Sequence, residues 1–188
     1  AFEVVREQLA SMAALVFAMR ALIAHAAAAP DEATLQVRSA SAKVFCSEAA
    51  GEVVDLAVQL HGGAGFIEET GLALLLRDTR ITRIFEGAND VLRVHAGIVQ
   101  VTTPPPRSRV AGPLGPLADA LHDDLVERSA ALSAAYGVRL AGQQRLLHRL
   151  GSRVVLRDAT DAAVGAASGP DADLAAHWLA MAHARVAV

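Results

Sequence analysis

The sequence predicts an all-α protein, and three observations carry the prediction. Apolar residues make up 53% of the 188-residue chain while aromatics make up only 4%. With alanine abundant, that composition suits closely packed helices better than a sheet, which draws on Val, Ile, Tyr and Phe at alternating positions. Apolar residues recur at steps of three and four over long stretches, and glycine or proline marks the breaks between them. The architecture expected is an antiparallel helical bundle over 1–101, a Pro/Gly-rich linker over 102–116 and a helical extension over 117–188.

Phe2, Val5, Leu9, Met12, Leu15, Val16 and Met19 mark the apolar face of a first helix running to about Ala28, ended by Ala29-Pro30-Asp31. His25, near that end, suits the helix dipole. Asp31 or Thr34 caps a second long helix carrying Val37, Val44, Phe45, Val53, Val54 and Val58, and the short break makes the two helices antiparallel. Gly62-Gly63-Ala64-Gly65 must stop it. That run reads either as a helix C-cap with a turn or as a close backbone approach to a phosphate. An irregular link over Ile67–Thr70 leads into a short helix, Leu72–Leu76. Arg77 and Asp78 read either as a local ion pair bracing the turn that follows or as a direct substrate contact, and Arg80 and Arg83 read equally as solvated charges. Glu86 stands at or just before the next helix, directly after Ile84 and Phe85, so it is either a helix cap or a base at the wall of an apolar pocket. Ala88-Asn89-Asp90 form that helix's first turn, and its pattern runs to about Val101.

Prolines 104–106, with Gly112-Pro113 and Gly115-Pro116, cannot continue a helix and make the domain boundary. Three helical patterns follow, Leu117–Tyr136, Val138–Ala167 and Asp171–Val188. Arg139, Arg145, Arg149, Arg153 and Arg157 recur at about helical spacing, either as a solvated face or as a stripe facing an anionic membrane surface. Trp178 and Met181 read as packing, and no cluster of His, Cys, Asp and Glu has metal-ligand spacing.

The formal charge of −3, with no long run of one sign, excludes nucleic acid as a natural partner. The single cysteine, Cys46, lies in an apolar helical pattern and fits a reducing, cytoplasmic compartment as a small buried hydrophobe. Charges interrupt every apolar stretch, so no segment reads as a leader or a membrane span.

Three motifs carry a resemblance. Ala57-Val58-Gln59-Leu60-His61-Gly62-Gly63-Ala64-Gly65-Phe66, Leu76-Arg77-Asp78 and Arg83-Ile84-Phe85-Glu86-Gly87-Ala88-Asn89-Asp90 together resemble the C-terminal helical domain of acyl-CoA dehydrogenases. The resemblance implies that Glu86 is the catalytic base of an FAD-dependent α,β-dehydrogenation of acyl-CoA thioesters to trans-2-enoyl-CoA, a fatty acid β-oxidation reaction. It implies that Gly87 lines the acyl-CoA site, and that Gln59, Gly62 and Gly63 touch FAD held mainly by a neighbouring subunit of a homodimer or higher oligomer. Ala88, Asn89 and Asp90 would contact the subunit's own FAD, although threonine is usual where this chain has Ala88. An electron-transfer flavoprotein-type acceptor would receive the electrons. The extension resembles, more loosely, that of very-long-chain acyl-CoA dehydrogenases, where it packs the dimer and engages membrane surfaces; the acyl chain expected is therefore long. The family's N-terminal helical and middle β domains are absent from these 188 residues, so the active site is incomplete in this chain. The alternative is a non-catalytic helical scaffold or partner subunit.

Overall fold

The computed structural model describes residues 2–104, 112–169 and 171–186, so part of the expected linker lies outside the described residues. Among the described residues the helices are α1 (Glu3–Ala27), α2 (Glu32–His61), α3 (Gly63–Phe66), α4 (Leu72–Ile81), α5 (Asn89–Thr102), α6 (Gly115–Tyr136), α7 (Gln144–Ala166) and α8 (Asp171–Val186). Two 3-10 helices, Glu68–Thr70 and Gly137–Gly142, complete the set among the described residues, which include no strand. The first of these replaces the irregular link expected there. The second delays α7 to Gln144, because Gly137, at φ +49°, turns the chain out of α6.

Asp31 caps α2, its Oδ1 accepting from the Thr34 amide at 2.7 Å, and Gly62, at φ +57°, ends it. The two long helices are antiparallel: Arg38 donates to the His25 carbonyl at 3.0 Å, and the Cys46 thiol approaches the Met19 carbonyl. Arg38, rather than the His25 ring, thus serves the C-terminal carbonyls of α1. Burial and the neighbouring Arg38 hold His25 below its ordinary value, which disfavours the charged ring a dipole contact would use. Burial also pushes the Cys46 thiol up to about 11, leaving it unreactive.

The face of α1 that packs is the alanine-rich one, Ala14, Leu15, Ala18, Ala21, Leu22 and Ala26. Phe2, Leu9, Val16 and Ile23, seven residues apart, stay exposed as a second apolar edge. By length and composition α1 is long and apolar enough to cross a membrane, contrary to the expectation that charges such as Arg20 cut every apolar stretch short. Within the fold, one of its two apolar faces lies in the core.

One core crosses the boundary expected from the sequence. Leu15 and Leu22 of α1 and Val44 and Phe45 of α2 pack with Leu121 of α6, Val155 and Ala159 of α7 and Trp178 of α8. Trp178 is fully buried, edge-on to Phe45 with ring centroids 5.1 Å apart. The extension is therefore cemented to the first bundle, most closely where α7 crosses α5. There Gly97 lies against the Leu147 carbonyl and Gly151 against the Arg93 carbonyl, and a Cβ on either glycine would collide with that backbone.

The same core holds a polar knot. Arg157 and Asp158 are buried, Asp158 accepts from Ser41 Oγ and from Arg157 Nε at 2.9 Å, and Asp161 lies 3.9 Å from Arg157. Arg157 therefore belongs to the interior and not to a basic stripe. Burial, reinforced by the Asp158 and Asp119 carboxylates and opposed by Arg157, raises Asp161 to about 7.

This packing has two measurable consequences. Gly151→Val should cost about 3 kcal/mol through overpacking, whereas Gly165→Ala, where a Cβ would meet open space, should be neutral or stabilising by up to about 1 kcal/mol; paired thermal melts measure both. Because Asp161 is raised above its ordinary 3.8, the folded state binds more protons than the unfolded state between about pH 4 and 7. Its contribution to stability therefore declines through that window and levels off above it. Asp161→Asn should remove a decline on the order of 2–4 kcal/mol, seen as a flatter pH profile in urea titrations and higher stability at pH 8.

Candidate functional site

The turn between α4 and α5 is tied down by hydrogen bonds from several sides. α4 runs on through Ile81, five residues beyond the helix expected there, and the Thr79 and Thr82 hydroxyls donate to the carbonyls of Leu75 and Thr79 in its last turns. The chain then reverses through Glu86, at φ +54°, and Gly87, at φ +97°. Glu86 is the one non-glycine among the described residues with positive φ, a conformation costing on the order of 1–2 kcal/mol. The ends of the turn are tied where the Asn89 amide donates to the Arg83 carbonyl at 3.1 Å.

What over-determines this strained turn is a polar clamp on α2. Arg83 donates to the carbonyls of Ser47 and Glu48 and lies over Gly51, where a side chain would displace it. Lys43 donates to the Gly87 carbonyl and, at 2.8 Å, to Asn89 Oδ1. Asn89 is only 5% exposed, and its Nδ2 donates to Ser47 Oγ at 2.9 Å and Glu48 Oε1 at 3.0 Å. Arg93 grips both Glu48 oxygens. Burial alone would raise Glu48, but the hydrogen bonds from Arg93 and Asn89 and the charges of Arg93 and Arg83 outweigh it and hold the carboxyl below its ordinary range. Burial lowers Lys43, against the opposing pull of Glu48.

Within this frame the Glu86 carboxylate is exposed and has no hydrogen bond or ion pair among the described residues. It is not a helix cap, since α5 starts at Asn89 with Ala88 at the N-cap and no side-chain cap bond. Beside it Ile84 and Phe85 are 53% and 50% exposed. The turn thus presents an unpartnered carboxylate next to unfilled apolar surface.

The other expected residues divide. Asn89 turns its amide inward and spends it on α2, so its side chain serves the clamp. Asp90 is exposed and accepts from His148 Nε2 of α7 at 3.0 Å. Gln59, Gly62 and Gly63 are exposed at the far end of α2, roughly 16 Å beyond Glu48 along the helix axis, so they form a separate surface from the Glu86 turn. The Gln59 side chain has no partner among the described residues. Gly62 is required by its φ, while Gly65, not singled out as a binding residue, is required because a Cβ there would strike the Val58 backbone. At Gly63 a Cβ would meet nothing, so no contact within this chain demands glycine. Arg77 pairs with Glu68, at 2.9 Å, and not with Asp78.

Lys43, Ser47, Glu48 and Gly51 went unrecognised in the sequence. A signal is present: Lys43, Ser47 and Gly51 recur every four residues, a polar and small stripe along one side of the helix.

The family model for the acyl-CoA dehydrogenase C-terminal domain matches residues 1–97. The mitochondrial very long-chain specific acyl-CoA dehydrogenase of Mus musculus is 43% identical over 99 residues, covering 52% of this chain and 15% of that protein. The 3-methylmercaptopropionyl-CoA dehydrogenase of Ruegeria pomeroyi is 49% identical over 74 residues, 34% of this chain and 13% of that protein. A probable acyl-CoA dehydrogenase of Mycobacterium tuberculosis is 42% identical over 95 residues, 50% and 24% of the two chains. This chain thus spans less than a quarter of the length of these relatives. An acyl-CoA dehydrogenase complexed with FAD from Bacillus anthracis superposes with a TM-score of 0.82 at 21% identity, over 99% of this chain and 40% of that one. That likeness is one of fold, and it takes in α6, α7 and α8, which the family model does not reach.

Asn89→Ala should strip the clamp of its central amide and leave buried groups on α2 unpaired, costing about 2–3 kcal/mol. Ser47→Ala, which deletes a single hydroxyl partner, should cost about 1 kcal/mol; denaturant unfolding of the two variants measures the difference.

Proposed function

Because this chain belongs to the acyl-CoA dehydrogenase family and carries its C-terminal domain over residues 1–97, we propose that it is the C-terminal part of an FAD-dependent enzyme that oxidises acyl-CoA thioesters to trans-2-enoyl-CoA. The observation that carries this reading is Glu86, an unpartnered carboxylate on a strained turn that α2 holds in place. Strain of this kind persists where the surroundings over-determine it, and a fixed, free base beside apolar surface is what α-proton abstraction requires.

In this reading Glu86 removes the proton from the α carbon and retains it while the α,β double bond forms. The chemistry FAD would supply when bound is that of a hydride acceptor for the β carbon. Ile84 and Phe85 bury against the acyl chain and exclude water from the carboxylate. Gly87, whose carbonyl is held by Lys43, lets the thioester approach the turn closely. Gln59 offers a free side-chain amide, and Gly62 and Gly63 an open backbone, to FAD held mainly by a second subunit, making the oligomer part of the site. Toward the subunit's own FAD, α5 brings fewer side chains than the motif suggests: Ala88 has no hydroxyl, Asn89 is consumed by the clamp, and Asp90 is held by His148. Backbone groups of the first turn are what remain there. The similarity to very-long-chain relatives favours a long acyl chain, and an electron-transfer flavoprotein-type acceptor would take up the electrons.

A second reading, a non-catalytic helical partner subunit, is favoured by those same occupied or missing groups at 88–90. The visible spectrum of the purified protein, taken together with the domains its relatives carry, separates the two. Enzyme function predicts a flavin band that bleaches on adding a saturated acyl-CoA. Glu86→Gln should keep the band and lose turnover by a factor of about 100 to 10,000. Normal turnover in Glu86→Gln, or a protein that never acquires flavin, would overturn the proposal.

A further inference from the structure

A groove of about 880 Å³ lies along α7, walled by α6 on one side and by α2 and α8 on the other. Its volume is within the roughly 300–1,000 Å³ of small-molecule sites. None of its lining residues belongs to the turn carrying Glu86, although Glu48 and Arg93 of the clamp form one edge of the groove.

The lining combines two chemistries. Phe45, Ala131, Leu132, Leu146 and Leu156 supply an apolar surface, and five guanidinium groups, those of Arg93, Arg128, Arg149, Arg153 and Arg185, gather around it. The carboxylates available to those cations are fewer. Glu48 takes Arg93, Asp124 is shared by Arg128 at 2.8 Å and Arg153 at 3.4 Å, and Glu52 takes Arg185 at 2.7 Å. Arg149 is exposed and has no acidic partner among the described residues. Two positive charges are therefore in excess, or one when Asp90, held by His148, is counted as well. A concave apolar surface rimmed by surplus guanidinium matches an anion that carries an apolar chain. An inorganic anion would leave the apolar surface wet, and a neutral chain would leave Arg149 unanswered.

We propose that this groove binds a single-chain lipid anion, an acyl or alkyl chain ending in a carboxylate or a phosphate. The chain lies on Leu132, Leu146 and Leu156, and the head group is taken by Arg149 with Arg153. The groove joins residues of α2 and α5 to residues of α6, α7 and α8, so occupancy ties the extension further to the first bundle.

The one tryptophan of the chain reports on this site. Trp178 packs against Phe45 and beneath the Arg185 guanidinium, 5.6 Å from its ring centroid, and both neighbours line the groove. Trp178 emission of the full chain would be titrated with dodecanoate and with dodecyl phosphate, each below its critical micelle concentration. A saturable one-site change is expected, at least tenfold tighter than for octanoate because four fewer methylenes are buried. Arg149→Glu should weaken it at least tenfold with an unchanged melting temperature, whereas Arg139→Glu, exposed outside the groove, should leave it within twofold. Preference for dodecanoate would identify a fatty-acid head and preference for dodecyl phosphate a phospholipid-type head; either supports the proposal. A response that does not saturate, that survives Arg149→Glu, or that dodecyl maltoside or inorganic phosphate reproduces at equal affinity would overturn it.

Discussion

The structure depends on the contact between α5 and α7. Gly97 and Gly151 let each helix set its backbone against the other's carbonyls, Leu147 and Arg93 respectively. Glycine inside a helix costs roughly 0.5–1 kcal/mol relative to alanine, and here that loss is offset by dispersion contacts that only a close crossing allows. α5 begins two residues after Gly87, so whatever fixes α5 also fixes the exit of the Glu86 turn. Arg93 makes the connection explicit: its carbonyl receives Gly151, while its guanidinium grips Glu48 in the clamp beneath the turn.

The same contact explains why the extension is not a separate body. A chain with few aromatics must bury area through many small side chains, and small side chains stabilise only when backbones come close. Ala14, Ala18, Ala159, Ala163 and Ala182 do this in the main core, around Trp178 and Phe45. Removing α6, α7 and α8 from α1 and α2 would expose that alanine-lined surface together with the buried Arg157 and Asp158. Such a knot of charge in a core adds little net stability, but it is costly to break on one side.

At the candidate site the division of labour is between rigid support and open chemistry. Lys43, Ser47, Glu48, Arg83, Asn89 and Arg93 are joined by hydrogen bonds to one another and to the backbone of α2 and the turn, which is how a polar network can hold a turn in a left-handed conformation. Glu86, Ile84 and Phe85 are left unsatisfied by this chain. Unfilled apolar surface beside an unpartnered carboxylate is the profile of a wall whose opposite side is supplied from elsewhere, and this chain spans only a fraction of each of its relatives.

Much of this was legible in the chain itself. Glycine and proline positions, a capping aspartate and three-four periodicity determined the order of the long helices and most of their ends, because those signals act locally on backbone conformation; the end of α4 and the start of α7 were missed by five and six residues. The Glu86 motif and the Gln59-to-Gly63 run were recognisable for the same reason, as contiguous segments. Tertiary structure decided what depends on groups distant in sequence. It chose the alanine face of α1 over the larger Phe2, Leu9 and Val16, because close approach of helices rewards small residues. It turned Asn89 inward to α2, moved Arg157 from an apparent stripe into the core, gave Arg77 to Glu68 and joined the extension to the bundle through paired glycines. Periodicity states which side of a helix is apolar; which apolar side is covered, and by what, is settled only when the helices meet.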